Sequence, residues 1–250
     1  MTPLQEAALV GSALGAGLMN SVAGGGTLLT FPALLFLGEN AITANATSTV
    51  ALLPAAIGSM AGYRSEIATH KEWLRRLLLP SIVGGAAGSL LLLATPEQTF
   101  RTLAPYLVLF ATLLFTAQAL RKTDPAKKPH PRSLAIAVFA QLLVAVYGGY
   151  FGAGIGILML VILGFLGLTD IHAMNGLKNF FGLCINFVAA ALFVVRGAVE
   201  WRPALLMMLG AIAGGYAGAR VAKRVGQKKA RWAVIVIGAG ITVALLLSPR

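Results

Sequence analysis

Long apolar stretches alternate with short polar ones along the whole chain. Most of the apolar stretches reach the roughly 20 residues that an α-helix needs to cross a bilayer. They cover residues 7–38, 43–63, 74–94, 102–120, 134–168, 171–195, 203–222 and 232–247. This pattern predicts an all-α polytopic membrane protein. The composition agrees, because 58% of the 250 residues are hydrophobic and only 11% are charged, which is far from the usual make-up of soluble domains.

Glycine clusters interrupt two of these segments near their centres. Residues 7–38 contain "AGGGT" at 23–27, and residues 134–168 contain "GAGIG" at 152–156. The second segment is too long for one ordinary span. We therefore expect each segment to form a hairpin of two helices, with arms of about 12 to 15 residues, that enters and leaves on one side of the membrane. The alternative is that the glycines only allow close helix packing.

The two glycine segments belong to an internal repeat. A shift of 130 residues, without a gap, brings several features into register: Gly24 and Gly26 with Gly154 and Gly156, Asn45 with Asn175, "GGAAG" at 84–88 with "GGYAG" at 214–218, and Arg101 with Arg231. Internal repeats are common in membrane transporters. The basic, proline-rich segment 121–133 is then a cytoplasmic linker between a first membrane repeat, residues 1–120, and a second, residues 134–250.

The loop charges predict that the two halves have opposite orientations. Lysine and arginine collect in the cytoplasmic loops of membrane proteins. If the loops at 64–76, 121–132 and 220–231 face the cytoplasm, fifteen of the twenty basic residues are inside and four are outside. The segments between the last two loops must then cross an even number of times, so the glycine hairpin turns back. Each half is predicted to hold one re-entrant hairpin and three transmembrane helices, in inverted topology.

The hairpin tips are candidate anion sites. The second helix of each hairpin is expected to begin near Thr27 and near Ile157, so that its N–H groups and positive dipole end point toward the membrane centre. Such helix ends attract anions, and glycine lets a ligand approach the backbone closely. The candidate substrate-binding residues at the tips are Gly24, Gly25, Gly26, Thr27, Gly154, Ile155, Gly156 and Ile157.

The helix that follows each hairpin carries polar residues on one face. In segment 171–195 they recur at helical spacing: Asn175, Lys178, Asn179, Gly182 and Asn186. A lysine near the membrane midplane is costly and indicates a function; the alternative is that it extends toward the interface or pairs with a backbone carbonyl. In the first half, Ser48 lies at the repeat position of Lys178. The candidate site is completed by Asn45, Ser48, Thr49, Asn175, Lys178 and Asn179.

The distribution of charged residues along the chain favours an anion as the ligand. All eight acidic residues fall at or outside the ends of the apolar segments, which gives no support to a proton relay or a cation site. No motif of a metalloprotease, hydrolase or ATP-driven enzyme occurs, and neither a metal nor a cofactor is predicted. The net charge of +12 comes from short loops, so no nucleic-acid partner is expected. The alternatives to a transporter are a passive anion channel and an intramembrane enzyme acting on a lipid-linked substrate.

Both hairpins and the helices after them have a recognisable sequence. The first half reads "NSVAGGGTLLTFPALLFLG" and then "ITANATSTVALLPAAIG"; the second reads "YGGYFGAGIGILMLVILGFLG" and then "AMNGLKNFFG". Over nearly the whole chain these motifs resemble the TauE/SafE family of sulfite and sulfonate exporters, although Ile162 stands where Pro32 aligns. The resemblance implies a permease of the prokaryotic inner membrane, embedded in the lipid bilayer. Its substrate would be a small sulfur-containing anion, sulfite or an organosulfonate such as sulfoacetate, exported by alternating access.

Overall fold

The computed structural model of the protein describes residues 1–22, 25–61, 64–120, 134–225, 235–236, 238–240 and 242–245. Its main helices are α1 (Pro3–Val22), α2 (Thr27–Phe36), α3 (Ala41–Ala61), α4 (Arg64–Thr69), α5 (Lys71–Ala94), α6 (Glu97–Leu120), α7 (Leu134–Tyr150), α8 (Ile155–Phe165), α9 (Ile171–Val195) and α10 (Trp201–Val225). No strand occurs in the described ranges, which confirms the predicted all-α fold. In the part of the chain that the structure describes, four helices, α3, α5, α6 and α9, are long and apolar enough to cross a membrane.

The structure divides both glycine segments at the glycines, as the sequence predicts. α1 ends at Val22 and α2 begins at Thr27, while α7 ends at Tyr150 and α8 begins at Ile155. The arms are less equal than expected, with 20 and 10 residues in the first hairpin and 17 and 11 in the second. At about 1.5 Å per residue, α2 and α8 are roughly half as long as the hydrocarbon core is thick. Neither of these two helices can cross it alone.

Acidic side chains bind the first turn of the helix that follows each hairpin. Glu97 accepts hydrogen bonds from the N–H groups of Ala41 (2.6 Å) and Ile42 (3.3 Å) at the start of α3. Asp170 accepts one from the N–H of His172 (2.9 Å) at the start of α9. A carboxylate at a helix N-terminus satisfies free donors and the helix dipole. These two acids, which the sequence places outside the spans, therefore stabilise the start of α3 and α9.

The segment 64–76, expected as a loop, is helical over most of its length. α4 covers Arg64–Thr69, and α5 already begins at Lys71. In the first turns of α5, Glu72 and Arg76 form an ion pair one turn apart. Pairs of opposite charge at this spacing support a helix, so α5 continues beyond its apolar stretch into the basic region.

The helices form two bundles, and each bundle contains parts of both halves of the chain. In the first bundle, α10 packs along α1 and against α3, and α2 packs against α1 and α3. In the second bundle, α7 packs along α5, and α9 packs against α5 and α8. We call α1, α2, α3 and α10 the first bundle and α5, α7, α8 and α9 the second bundle. The principal helix contact between them is that of α3 with α9.

Glycines bring the paired helices of each bundle into backbone contact. A methyl group added at Gly17 of α1 would collide with the carbonyl oxygen of Ala211 in α10. In the second bundle, a methyl group added at Gly88 of α5 would collide with the carbonyl oxygen of Val146 in α7. Small residues commonly allow membrane helices to approach this closely. Close packing therefore joins α1 to α10 and α5 to α7.

The buried apolar side chains form two clusters. One cluster lies within the second bundle and includes Leu77 of α5, Met159 of α8 and Phe181 of α9. The larger cluster joins the first bundle and α6 to the ends of α5 and α9 and to Ile157 of α8. The bundles also meet at the second hairpin tip, where the ring of Phe151 packs edge-on against Phe31 with centroids 5.4 Å apart. The boundary between the bundles therefore passes by the hairpin tips.

The helices of the two halves correspond at the offset found in the sequence. α3 and α9 begin 130 residues apart, and so do α5 and α10. The contacts correspond as well, since the pairing of α1 with α10 matches that of α7 with α5. The inverted orientation and the limits of the repeats stay predictions. The linker 121–133 and parts of the last expected span, 232–247, lie outside the described residues.

Candidate functional site

A cavity of about 100 Å³ lies between the two bundles. The first bundle contributes the end of α1, the tip of the first hairpin and one face of α3. The second bundle contributes the other tip and α9. The structure thus brings together seven of the predicted site residues in the lining of one cavity: Gly25, Thr27, Thr49, Ile155, Gly156, Lys178 and Asn179.

The two tips bring helix N-termini to this cavity. Gly25 and Gly154 have positive φ angles of 90° and 79°, a backbone conformation that glycine adopts readily and that leads the chain into α2 and α8. Thr27 begins α2, and Ile155 and Gly156 begin α8. Because Gly154 at the N-cap has no side chain to cap α8, the positive end of this helix dipole faces the cavity without such a cap.

Lys178 contributes a positive charge to the cavity. It lies on α9, and only 8% of its surface is exposed. Its aliphatic stem crosses α8 at Gly156, where an added Cβ would be 3.1 Å from the lysine Cδ. A side chain at position 156 would press on the lysine. Asn179 and Asn186 line the cavity beside it, so most of the predicted polar face of α9 points into this space.

The cavity combines a buried cation with neutral hydrogen-bonding groups. None of the described residues that line it is acidic. The hydroxyl of Thr49 donates to the backbone carbonyl of Asn45 (2.9 Å), so it offers only lone pairs and contributes no donor to an anion. Burying an ammonium group is costly unless it has polar partners or a counter-ion. The arrangement therefore suits a small anion, which a lysine and helix N-termini bind through charge and N–H groups.

Two predicted residues of α3 hold neighbouring helices and do not line the cavity. Ser48 is fully buried and shares a hydrogen bond with the hydroxyl of Thr30 in α2. Asn45 is also buried, and its Nδ2 donates to the carbonyl of Tyr150 (3.2 Å) at the end of α7. These bonds connect α3 to both hairpins. Ser48, at the repeat position of Lys178, does not reach the cavity lining, because its hydroxyl pairs with that of Thr30.

The other predicted residues lie beside the cavity without lining it. The N–H of Gly26 is turned toward α1, where it donates to the side chain of Asn20 (2.8 Å). The side chain of Ile157 packs into the larger apolar cluster. The remaining residues of this group are Gly154, which is buried at the second tip, and Asn175, which lies one turn before the lysine. Gly24 lies outside the described residues.

Several lining residues were not among the sequence candidates. Gly182 and Asn186 belong to the polar face of α9 and could have been included on that ground. The signal for Asn20 was weaker, since it is only an amide inside an apolar segment, six residues before Gly26. The repeat gave no support to it, because its repeat position holds a tyrosine. Nothing in the sequence distinguishes the apolar lining residues from ordinary membrane residues: Leu52, Ala56 and Leu183.

A second cavity, of about 390 Å³, lies at the other end of α2. It is formed by the loop between α2 and α3 and by the start of α6, with Glu39, Glu97 and Arg101 in its lining. Burial, together with the nearby Glu200, raises the pKa of the Glu39 carboxyl above its usual value of 4.5. Two acids beside one arginine make this cavity a poorer place for an anion than the cavity with Lys178.

The fold and the site together define a multi-pass, all-helical transport protein of the inner membrane, with a polar cavity between two bundles where helices are broken. The family model described as "Sulfite exporter TauE/SafE" matches residues 9–245. The chain belongs to this family, which confirms the resemblance found in its motifs. It is a membrane transporter and not an enzyme.

Curated bacterial relatives carry the same general description. The chain is 28% identical, over 255 aligned residues, to the probable membrane transporter protein YfcA of Escherichia coli strain K12, with 98% of this chain and 91% of that protein covered. It is 26% identical over 235 residues to a probable membrane transporter protein of Haemophilus influenzae, with 92% and 90% covered. A probable membrane transporter protein of a Sinorhizobium species is 27% identical over 238 residues, with 94% and 89% covered. No solved structure gives a significant match.

Proposed function

We propose that this chain is an alternating-access permease that exports a small sulfur-containing anion, sulfite or an organosulfonate such as sulfoacetate. One observation carries the proposal: Lys178, only 8% exposed, meets two glycine-rich helix N-termini in a cavity whose described lining has no acidic residue. The family description adds sulfite as the substrate class and export as the direction. The small volume of the cavity favours sulfite over the longer sulfoacetate.

Four groups of the cavity have a role in this proposal. The ammonium of Lys178 offsets the charge of the anion, and Asn179 orients it. Backbone N–H groups at Thr27 and Gly156 donate to its oxygens from opposite walls. An oxyanion has several oxygens, so separate oxygens can accept from the donors of the two tips.

The two bundles are the moving parts of the proposed cycle. The backbone contacts at Gly17 and Gly88 hold each bundle together, whereas the cavity lies at the boundary where α3 meets α9. Rocking of one bundle against the other would open the cavity first to one side of the membrane and then to the other. The matching helices, 130 residues apart, support the inverted repeats on either side of linker 121–133 that such a cycle commonly uses.

Uptake of sulfite, thiosulfate, sulfate and short sulfonates into proteoliposomes tests the proposal. We expect saturable sulfite uptake by the wild type and a loss of about tenfold or more in Lys178→Ala, because a hydrogen bond to a charged group contributes about 1.5–3 kcal/mol. Arg196→Ala is the matched control, since it removes a positive charge from the exposed end of the same helix. This control should transport sulfite like the wild type.

Each part of the proposal has an outcome that contradicts it. Undiminished uptake in Lys178→Ala would remove the lysine from the site. Sulfite flux without saturation or counterflow would indicate a passive anion channel and exclude alternating access. Uptake of neither sulfite nor any sulfonate by a folded wild-type protein would contradict the substrate class.

A further inference from the structure

A hydrogen bond at the edge of the cavity identifies a residue that can select for charge. Asn20, in the last turn of α1, accepts a hydrogen bond through Oδ1 from the backbone N–H of Gly26 (2.8 Å). Gly26 is the N-cap of α2 and has no side chain with which to cap it. Asn20 also lines the cavity together with Thr27 and Lys178. A neutral amide oxygen therefore occupies a helix N-terminus, a position that suits an anion.

The close fit at Gly26 is what permits this contact. A Cβ added at Gly26 would be 2.8 Å from Nδ2 of Asn20 and 2.8 Å from the carbonyl oxygen of Ala16. A side chain at this position would push the amide away from the helix end. Because Asn20 lies near the end of α1, rotation about its side-chain bonds can release the N–H without disturbing the earlier turns.

The second hairpin tip is built differently. The repeat position of Asn20 is Tyr150, whose hydroxyl contacts that of Thr95 (3.4 Å) and whose carbonyl accepts from Asn45. The stem of Lys178 lies over the start of α8 instead. One tip is thus occupied by an internal acceptor, and the other is covered by the aliphatic stem of a lysine.

We propose that Asn20 competes with the substrate, which must displace the amide oxygen from the N–H of Gly26 in order to bind. This inference rests on the anion site proposed above. A hydrogen bond to an ionised acceptor is roughly twice as strong as one to a neutral acceptor. An anionic oxygen therefore gains by the exchange, whereas a neutral molecule exchanges one neutral acceptor for another and gains nothing. Asn20 is in this way a specificity-determining residue that favours anions over neutral ligands.

Calorimetric titration of the purified full-length protein with sulfite tests this role. Asn20→Ala removes the competitor and should tighten sulfite binding about 2- to 10-fold, the usual value of one hydrogen bond. Asn20→Asp retains the contact to Gly26 but makes the internal acceptor an anion near Lys178, so sulfite binding should weaken about tenfold or more. Gln98→Ala removes an exposed amide far from this cavity and should leave the affinity unchanged.

The outcomes separate this inference from the proposed function. Weaker sulfite binding in Asn20→Ala would overturn the competitor role and make Asn20 a ligand of the substrate. Unchanged affinity with a lower Tm would also overturn it, because the amide would then only hold the turn together. If Lys178→Ala loses binding while Asn20→Ala does not tighten it, the competitor role alone fails. If the wild type does not bind sulfite, the proposed site and this inference fail together.

Discussion

The side chain of Lys178 lies across the backbone of Gly156. A Cβ on this glycine would be 3.1 Å from the lysine Cδ and 3.6 Å from its Cγ. α9 thus holds the aliphatic stem of its lysine against the first turn of α8, where the helix dipole is positive. Both the lysine charge and this dipole attract an anion that lies beside them. The contact therefore links the packing of two helices to the binding of an anion.

Alanine at position 156 should weaken transport without unfolding the protein. The new methyl group would push the stem of Lys178 by a few tenths of an ångström, and we expect the sulfite concentration for half-maximal uptake to rise by roughly 3- to 10-fold. Gly164→Ala, on the same helix, meets only the end of Met174 at an ordinary contact distance of 3.8 Å. Uptake kinetics of both variants check this, and equal effects in the two would contradict it.

Alanine at position 17 should destabilise the first bundle. Its methyl group would collide with the carbonyl oxygen of Ala211, so α1 and α10 would have to separate. Overpacking of this kind costs about 1–3 kcal/mol. Gly11→Ala, on the same helix, meets nothing within 4 Å and should be neutral or stabilising by up to about 1 kcal/mol. The Tm values of the purified variants measure this difference. A Gly17→Ala protein as stable as Gly11→Ala would contradict the close contact between α1 and α10.

A disulfide within the first bundle should leave transport intact. A Cβ on Gly215 of α10 would be 3.5 Å from that of Ala55 in α3, a separation within the disulfide range. We expect Ala55→Cys with Gly215→Cys, in a Cys184→Ser background, to form the bond on oxidation and to keep uptake within about twofold, since the two helices move together. Uptake should be measured with a sulfonate, because sulfite cleaves disulfides.

Thiol alkylation with and without reductant measures how much of this disulfide has formed. The single mutants Ala55→Cys and Gly215→Cys are the controls for each substitution. Loss of uptake on oxidation, with recovery after reduction, would mean that α3 and α10 move relative to each other during transport. The division into two rigid bundles would then be wrong.

Glutamine at position 39 should change how stability depends on pH. Because burial and Glu200 raise the pKa of Glu39 above 4.5, the folded state binds this proton more tightly than the unfolded state does. The contribution of this group to stability is greatest at low pH and is lost as the pH rises from about 4.5 through the raised pKa. Glu39→Gln lacks this loss, so its Tm relative to the wild type should increase across that window. Thermal unfolding at several pH values measures it, and a constant difference would contradict it.

The broken helices could be predicted because their causes are local. Glycines in the middle of an apolar segment weaken a helix wherever they occur, and the length of 134–168 excludes a single span. The polar face of α9 was also visible, since it depends only on helical spacing. The unequal arm lengths of the two hairpins were not predicted.

The partner of each polar side chain could not be predicted from the sequence. The repeat aligned Ser48 with Lys178, but Ser48 bonds to Thr30 while its neighbour Thr49 lines the cavity. This choice depends on how α2 packs against α3. The contribution of Asn20 was missed for the same reason, since its importance comes from its approach to Gly26 after the chain has turned.

The sequence by itself determined the membrane setting, the helices, their glycine breaks, the family and the single buried cation of the site, because apolar length, helical spacing and backbone freedom are local properties. The tertiary structure decided which helices of the two halves combine in each bundle, which amide occupies the first helix end and which predicted residues reach the cavity. These features depend on packing between helices far apart in the chain, where a shift of one residue or one turn exchanges a lining side chain for a buried one.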